Sequence, residues 1–231
     1  GGTSLAIAVY VHQLLKKKGW KLSFGFGGST KYMVDMLEEG QMGYILDAQA
    51  FDLDSVKSIE KNLNHIPYPV FNAYNYHSKG NLTTMMDIMI LGATEIDTGF
   101  NGNVVTHSDG LLLHGIGGWQ NCLHARNVII PVPLFRDRIP VIVDRVTTLC
   151  GPGELIDVII TERGIAINPR RQDLIDSVRG KGLPLVTIEE LKEIGEKMCG
   201  KPEKAAFDDR VVAAIKWVDG TVIDAVRKVK R

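Results

Sequence analysis

Cysteine is scarce in this chain of 231 residues: Cys122, Cys150 and Cys199 are odd in number and far apart. That argues against a disulfide framework and for a reducing, cytoplasmic setting. An excess of one charge is missing too, since 27 Lys and Arg balance 27 Asp and Glu. Nucleic-acid binding needs clustered basic surface, so no nucleic-acid partner is expected. The short run Lys16-Lys17-Lys18 reads as the solvated end of a helix. No apolar stretch reaches the roughly 18 residues of a membrane span, and neither a signal peptide nor membrane association is expected. There is no repeat of fixed period and no low-complexity linker. The dinucleotide GxGxxG, the P-loop ending Gly-Lys-Ser/Thr and the GxSxG elbow of serine hydrolases are all absent. No HxH or CxxC pair supports a site built from His107, His114, Cys122 and His124, so no metal is expected. Cys122 and His124 lie two apart and point different ways on a helix, which suits a buried thiol and a satisfied imidazole.

What is present is a globular composition, 45% hydrophobic, with strands and helices in alternation. Thr3 or Ser4 caps a helix over Leu5–Lys18 that stops at Gly19. "KLSFGFGGSTK" reads as a strand ending in glycines, followed by a helix with Val34, Met36 and Leu37 inward. "GYILDAQAFD" is a second strand, "LDSVKSIEKNLN" a weak helix, and residues 65–83 a loop. "DIMILGATEID" reads as one continuous strand covered on both faces. "NVVT" and "NVIIPVP" are further strands, "PVIVDRVTTLCG" is β-rich, and "DVIITERGIAIN" is a hairpin turning at Glu162-Arg163-Gly164. Asn168 and Pro169 open a helix that ends near Gly180. Thr187 and Glu190 have capping-box spacing for a helix that runs to Gly200. Two last strands flank Val218-Asp219-Gly220. The fold class is therefore α/β, a mostly parallel sheet with flanking helices and antiparallel additions near the C-terminus. It is expected as a single domain over 1–231.

The stretch "DGLLLHGIGGWQNCLHARNVIIPVP" breaks an apolar run with Gly115, Gly117 and Gly118. The form GxGG recurs at Gly25-Phe26-Gly27-Gly28. Two readings stand. The glycines make tight strand–helix turns, or they bare backbone N–H groups to an anion such as a carboxylate, a phosphate or an oxyanion. "THSDG" reads as a turn. Arg170 and Arg171 put basic charge at a helix start, against the dipole, and an anionic contact would account for it.

"FGFGGSTKYMVDMLEEG", "LDAQAFDLDSVKSIEKNLNH", "LGATEIDTGFNGNVVTHSDG" and "IDVIITERGIAINPRRQDL" together resemble the C-terminal half of the citrate lyase alpha subunit family, within the CoA-transferase superfamily. "DDRVVAAIKWVDGTVIDAVRKVK" fits as well, so the resemblance spans essentially the whole chain. It implies a CoA-transferase-like fold and half of a longer two-domain chain, with an N-terminal transferase half as partner. Gly1-Gly2-Thr3, with no Met, falls near the start of the second half, as in a processed or excised piece. The implied reaction exchanges the acetyl group of an acetyl thioester for citrate, giving citryl thioester and acetate. No cofactor is tightly bound. The thiol is that of CoA, or of the phosphoribosyl-dephospho-CoA arm of an acyl carrier protein. A lyase (beta) subunit and a carrier (gamma) subunit are the implied partners, in an oligomer.

Many CoA-transferases use a glutamate nucleophile, and here the comparable strand end is Asp47-Ala48-Gln49-Ala50-Phe51. The resemblance thus implies a ternary complex with no enzyme thioester. Gly27, Gly28, Gly117 and Gly118 are the oxyanion candidates, and Gln49 orients the attacking carboxylate. Asn103 and Ser108 are candidate citrate donors, with Asn121 and Arg170 also assigned to substrate. After Gly117-Gly118 the family carries a small residue or His and, two positions on, an Asp, whereas this chain has Trp119-Gln120-Asn121. That difference keeps open a second reading, a CoA-transferase for another short carboxylic acid. A third is a non-catalytic acyl-thioester-binding or assembly domain.

Overall fold

The computed structural model describes residues 2–75 and 82–230, and the chain divides into two compact units, 1–82 and 83–231.

The first unit runs α1 (Gly2–Lys18), β1 (Leu22–Ser29), α2 (Lys31–Glu38), β2 (Met42–Ala50), α3 (Leu53–Lys61), β3 (His65–Pro67) and α4 (Val70–Tyr74). Its strands form a parallel sheet in the order β1-β2-β3. Helices α2 and α3 pack on that sheet and α1 packs on α2. The core is Leu15, Val34, Met36, Leu37, Met42 and Ile45. The glycines of "FGFGG" do not end the strand, as the sequence suggested, but lie inside it. Gly25 pairs with Ile45, Gly27 with Asp47 and Gly28 with Gln49. Close packing is the reason. A Cβ on Gly25 would stand 2.7 Å from the methyl of Met33, and one on Gly28 would fall 1.8 Å from the Phe51 ring. The segment expected as a loop from 65 onward supplies β3 and α4 before residue 76, and its residues 76–81 lie outside the described ones.

A long-range cap joins these elements. Asp52 caps its own helix by accepting from Ser55 N at 2.8 Å, and its other oxygen accepts from Lys31 N at 2.7 Å, at the start of α2. One carboxylate thus serves two helix N-termini, where the dipole favours negative charge. Desolvation works against that charge, yet the amides of Lys31 and Ser55 hold the Asp52 carboxyl below its ordinary range.

The second unit holds β4 (Met89–Ile90), β5 (Glu95–Asp97), β6 (Gly102–Asn103), α5 (Trp119–Cys122), β7 (Val128–Pro131), β8 (Phe135–Arg136), β9 (Ile139–Pro140), β10 (Ile142–Val143), β11 (Val158–Thr161), β12 (Gly164–Ile167), α6 (Gln172–Val178), α7 (Ile188–Cys199), β13 (Phe207–Lys216) and β14 (Val222–Val229). One sheet has the order β12-β11-β7-β4, another β10-β5-β6, and β8-β9 and β13-β14 are antiparallel hairpins. The pairs β4–β7, β7–β11 and β5–β10 are parallel. The mixed α/β class with antiparallel strands at the C-terminal end is as the sequence predicts. So are the hairpins β11–β12 and β13–β14 and the capping box at Thr187 and Glu190.

Three expectations differ. "DIMILGATEID" is two short strands in two sheets, β4 and β5, because the chain leaves the first sheet at Gly92, whose carbonyl accepts from Trp119 Nε1 at 2.8 Å. "NVVT" contributes only Asn103 to a strand. The Asn103 side chain accepts from the amides of Val105 and Thr106 at 3.0 and 3.2 Å, a local turn that ends the ladder. The last helix but one starts at Gln172 and not at Asn168. Asn168 instead donates to the carbonyls of Gly153 and Ile156, both at 2.9 Å.

Candidate functional site

In the first unit β2 brings three of the predicted residues together. Gly27, Gly28 and Gln49 face one another across the β1–β2 ladder, at a point where the register slips: Gly27 pairs with Asp47, Gly28 with Gln49, and Ala48 is passed over. Gln49 is exposed there while Asp47 is buried. Asp47 Oδ1 accepts from Gln49 N at 2.9 Å, and its Oδ2 stands 3.3 Å from His65 Nε2. Gly27 keeps a φ of 113° and open space beside it, the Tyr74 hydroxyl being 3.9 Å from where a Cβ would stand. The amide at the head of α2 already has its anion in Asp52.

In the second unit the centre is a residue that sequence reasoning missed. Glu95 lies on β5, opposite Asn103 on β6, and is fully buried. It accepts from Asn103 Nδ2 at 2.8 Å, Thr147 N at 2.7 Å, Thr147 Oγ1 at 3.0 Å and the Ser108 hydroxyl. Around it, Thr94 Oγ1 donates to the carbonyls of Asn103 and Thr106 at 2.9 and 2.7 Å, and the Thr106 and Thr148 hydroxyls meet at 2.7 Å. A buried carboxylate without a cation persists only if donors surround it, and these side chains supply them. Asn103 and Ser108 are therefore brought together, but both turn inward to Glu95. The Asn103 amide also meets the Thr106 carbonyl and hydroxyl at 3.1 and 3.0 Å. An acid inside the apolar run "IMILGATEID" was the signal that could have found this cluster.

Gly117 and Gly118 lie on a loop before α5. Gly117 has a φ of 57°, and a Cβ at Gly115 or Gly117 would meet nothing within 4 Å. Trp119 and Gln120 anchor the loop at its C-terminal end. The Trp119 ring fills the space over Gly102 and Gly151, where a Cβ would come within 2.6 and 2.5 Å of it. Gln120 Nε2 donates to the Cys150 carbonyl at 2.8 Å, and Cys150 Sγ lies 3.5 Å from Asn103 Oδ1. Trp119 is thus a core residue holding the glycine loop, and its bulk faces the protein interior. Asn121 is buried on the same short helix. The apolar stretch Leu111–Leu113 before the loop is exposed and pairs with the 105–107 segment through a bridge between Leu112 and Thr106, with Leu113 N donating to the Val105 carbonyl at 2.8 Å and His107 N to the Leu111 carbonyl at 3.0 Å.

Arg170 stands apart from these groups, exposed, with Nη1 3.4 Å from Glu154. The basic charge near this helix start has partners in the protein itself: Arg171 reaches Asp157 at 2.7 Å and Asp173 at 2.8 Å. Pairing with Arg171 draws the Asp173 carboxyl down to about 2. Two cavities of about 320 and 410 Å³ lie in this unit. The smaller is rimmed by Asp97, Asn101, Asp144, Arg145 and Asp224, the larger by Phe100, Ile165, Ile175, Leu185 and Ile188. None of the nine predicted site residues lines either one.

Burial pushes the Cys122 thiol up to about 12 and that of Cys150 up to about 11. Burial lowers the pKa of His124, whose ring lies 5.8 Å from that of Trp217. Thiolate chemistry at neutral pH is thus disfavoured at both buried cysteines. Iodoacetamide at neutral pH should label the half-exposed Cys199 first, and Cys122 and Cys150 only after denaturation, as read by peptide mass spectrometry. Fast labelling of native Cys122 would contradict this. Among the described residues no group of three or more His, Cys, Asp or Glu is placed to hold a metal ion, and no helix is long and apolar enough to cross a membrane.

A family model for the alpha subunit of citrate lyase matches residues 1–229. The chain belongs to the citrate lyase alpha-subunit family. It is 43% identical over 231 residues to the citrate lyase alpha chain of Klebsiella pneumoniae, covering all of this chain and 46% of that one. The Escherichia coli K12 citrate lyase alpha chain is 40% identical over the same residues, with 45% of its length covered. The chain thus spans about half the length of the family members it matches. A Streptococcus mutans protein assigned as a citrate lyase alpha subunit, solved in complex with citrate, superposes with a TM-score of 0.96. It is 40% identical, and the match covers 99% of this chain and 45% of that one. A Pseudomonas malonate decarboxylase, 16% identical with a TM-score of 0.59 over 86% of this chain, shares the fold.

Proposed function

We propose that this chain is the C-terminal half of a citrate lyase alpha-type transferase, which exchanges the acetyl group of an acetyl thioester for citrate and yields citryl thioester and acetate. The observation that carries this reading is the likeness, along 99% of the chain, to a family member solved with citrate. The acyl donor is acetyl-CoA or the phosphoribosyl-dephospho-CoA arm of an acyl carrier protein. An N-terminal transferase half completes the enzyme, and lyase and carrier subunits complete a cytoplasmic complex.

A citrate carboxylate attacks the thioester carbonyl. The tetrahedral oxyanion collapses to a mixed anhydride and expels the thiolate. The thiolate then attacks the citryl carbonyl, and acetate leaves. The one acid at the β2 strand end, Asp47, is buried and engaged by Gln49 N, which supports direct attack over an enzyme-bound thioester. Gly117 and Gly118, on an open loop, are the first candidates to donate backbone N–H groups to the oxyanion, with Gly27 and Gly28 offered on the same chemistry. Loss of one such donor typically costs about 3 kcal/mol of transition-state stabilisation. Gln49 orients the attacking carboxylate. Asn103 and Ser108, offered as donors to citrate, are bonded to Glu95 in this chain and would have to turn from it to reach the acid, and Asn121 and Arg170 remain candidates for contact with it.

Steady-state kinetics test the sequence of steps. With citrate and acetyl thioester both varied, the expected reciprocal plots intersect, and no CoA adduct forms on the chain. Parallel lines with a trapped adduct would mean a covalent, ping-pong route. Gln49→Ala is expected to lower kcat about 100-fold, the usual scale for a misplaced reactant. Full activity in that variant would remove Gln49 from the scheme.

A further inference from the structure

We infer that Asp47 and His65 form a buried positioning pair that holds Gln49 in its exposed place, an inference that rests on the role proposed for Gln49. Strand periodicity would put Asp47 and Gln49 on one face of the sheet. They are not on one face in effect: Asp47 is buried and Gln49 exposed. The difference arises at the slipped register, where Ala48 is the extra residue of a bulge and the chain rotates. The Asp47 carboxylate closes that bulge through Gln49 N at 2.9 Å. Behind it stands His65, with side-chain exposures of 2% for Asp47 and 0% for His65 and a separation of 3.3 Å. The contact is close but not an aligned hydrogen bond, and neither ring nitrogen of His65 has another partner among the described residues.

Backbone contacts fix both residues in place. Tyr68 N donates to the Asp47 carbonyl at 2.8 Å, and His65 N to the Asn62 carbonyl at 2.9 Å. A buried acid and a buried imidazole without full hydrogen bonding are costly groups. Their common effect is on the turn that presents Gln49. Neither side chain reaches solvent, so both act through Gln49 and not on substrate.

The experiment is a double-mutant cycle in the assembled transferase, with this chain and its N-terminal half present. Asp47→Ala is expected to lower kcat about 100-fold, with KM for both substrates within about twofold. Asp47→Asn keeps an acceptor for Gln49 N and is expected to recover most of that loss. In the Gln49→Ala background, Asp47→Ala is expected to add nothing. Hydrogen-exchange mass spectrometry of segment 46–51 should show protection lost in Asp47→Ala and kept in Asp47→Asn. Should Asp47→Ala fail to fold, His65→Asn replaces it in the same cycle, with the same non-additive outcome expected. Losses that multiply, or unchanged protection in the folded variant, overturn the pair. Wild-type protein that forms no citryl thioester overturns the transferase reading instead, and the exchange data then decide whether the pair still holds the bulge.

Discussion

Glu95→Ala is expected to destabilise the protein by about 3–5 kcal/mol, the scale of a buried donor left without its acceptor plus the cavity the side chain leaves. Glu95 accepts from Ser108, Asn103 and twice from Thr147, and it is fully buried. After truncation the Ser108 and Thr147 hydroxyls can rotate to other acceptors, but the Thr147 backbone N–H cannot. A buried donor left without a partner costs about 1–3 kcal/mol, and the volume left by the side chain adds a cavity cost. The sum is a large part of the roughly 5–15 kcal/mol that holds a domain folded. Glu95→Gln keeps the volume and one acceptor oxygen, so less than half the loss is expected. Urea midpoints of the three proteins measure this. A Glu95→Ala midpoint equal to wild type would mean that the donors around Glu95 find other partners.

Gly153→Ala should be the most damaging of the glycine substitutions, at about 3 kcal/mol, the upper part of the range for overpacking. A Cβ at Gly153 would lie 1.9 Å from the Gly99 carbonyl oxygen, 2.8 Å from the Phe100 carbonyl carbon and 2.9 Å from Asn101 N. All three are backbone atoms, so no side chain can swing away. The opposing turn has little freedom. Asp97 Oδ1 holds the amides of Gly99 and Asn101 at 2.9 and 3.0 Å, and Phe100 is already in the left-handed region at φ 63°. That region costs an ordinary L-residue roughly 1–2 kcal/mol. Gly115→Ala is the control: its Cβ would meet nothing within 4 Å, and a change within about 0.5 kcal/mol is expected. Equal midpoints for the two variants would contradict the close approach of the 99–101 turn to Gly153.

Local signals in the sequence were legible. The capping box at Thr187 and Glu190, the existence of helix α3, and the hairpins at Glu162-Arg163-Gly164 and Val218-Asp219-Gly220 are set by neighbours within a few residues. What sequence could not show is decided by partners far along the chain. Helix α2 takes its cap from Asp52, 21 residues beyond Lys31. The apolar run through Gly92 breaks because an indole 27 residues away claims that carbonyl. The glycines of β1 looked like a loop because their reason, the Met33, Met42 and Phe51 side chains lying over them, is tertiary.

The same holds for the candidate site. Gly117 and Gly118 were readable as bare backbone on a loop, and Gln49 as the residue at a strand end. The inward turn of Asn103 and Ser108 was not, because it depends on Glu95 and on Thr147, which lies 52 residues beyond Glu95. Trp119 looked like a change in the substrate pocket and is a plug over Gly102 and Gly151.

The most direct measurement is label transfer from citrate. This chain is incubated with acetyl-CoA and labelled citrate, with and without a co-expressed N-terminal half, and the thioesters are resolved by mass spectrometry. The prediction is labelled citryl-CoA formed together with acetate, and only when both halves are present. No transfer to citrate or to any other carboxylic acid with both halves present would contradict the transferase reading.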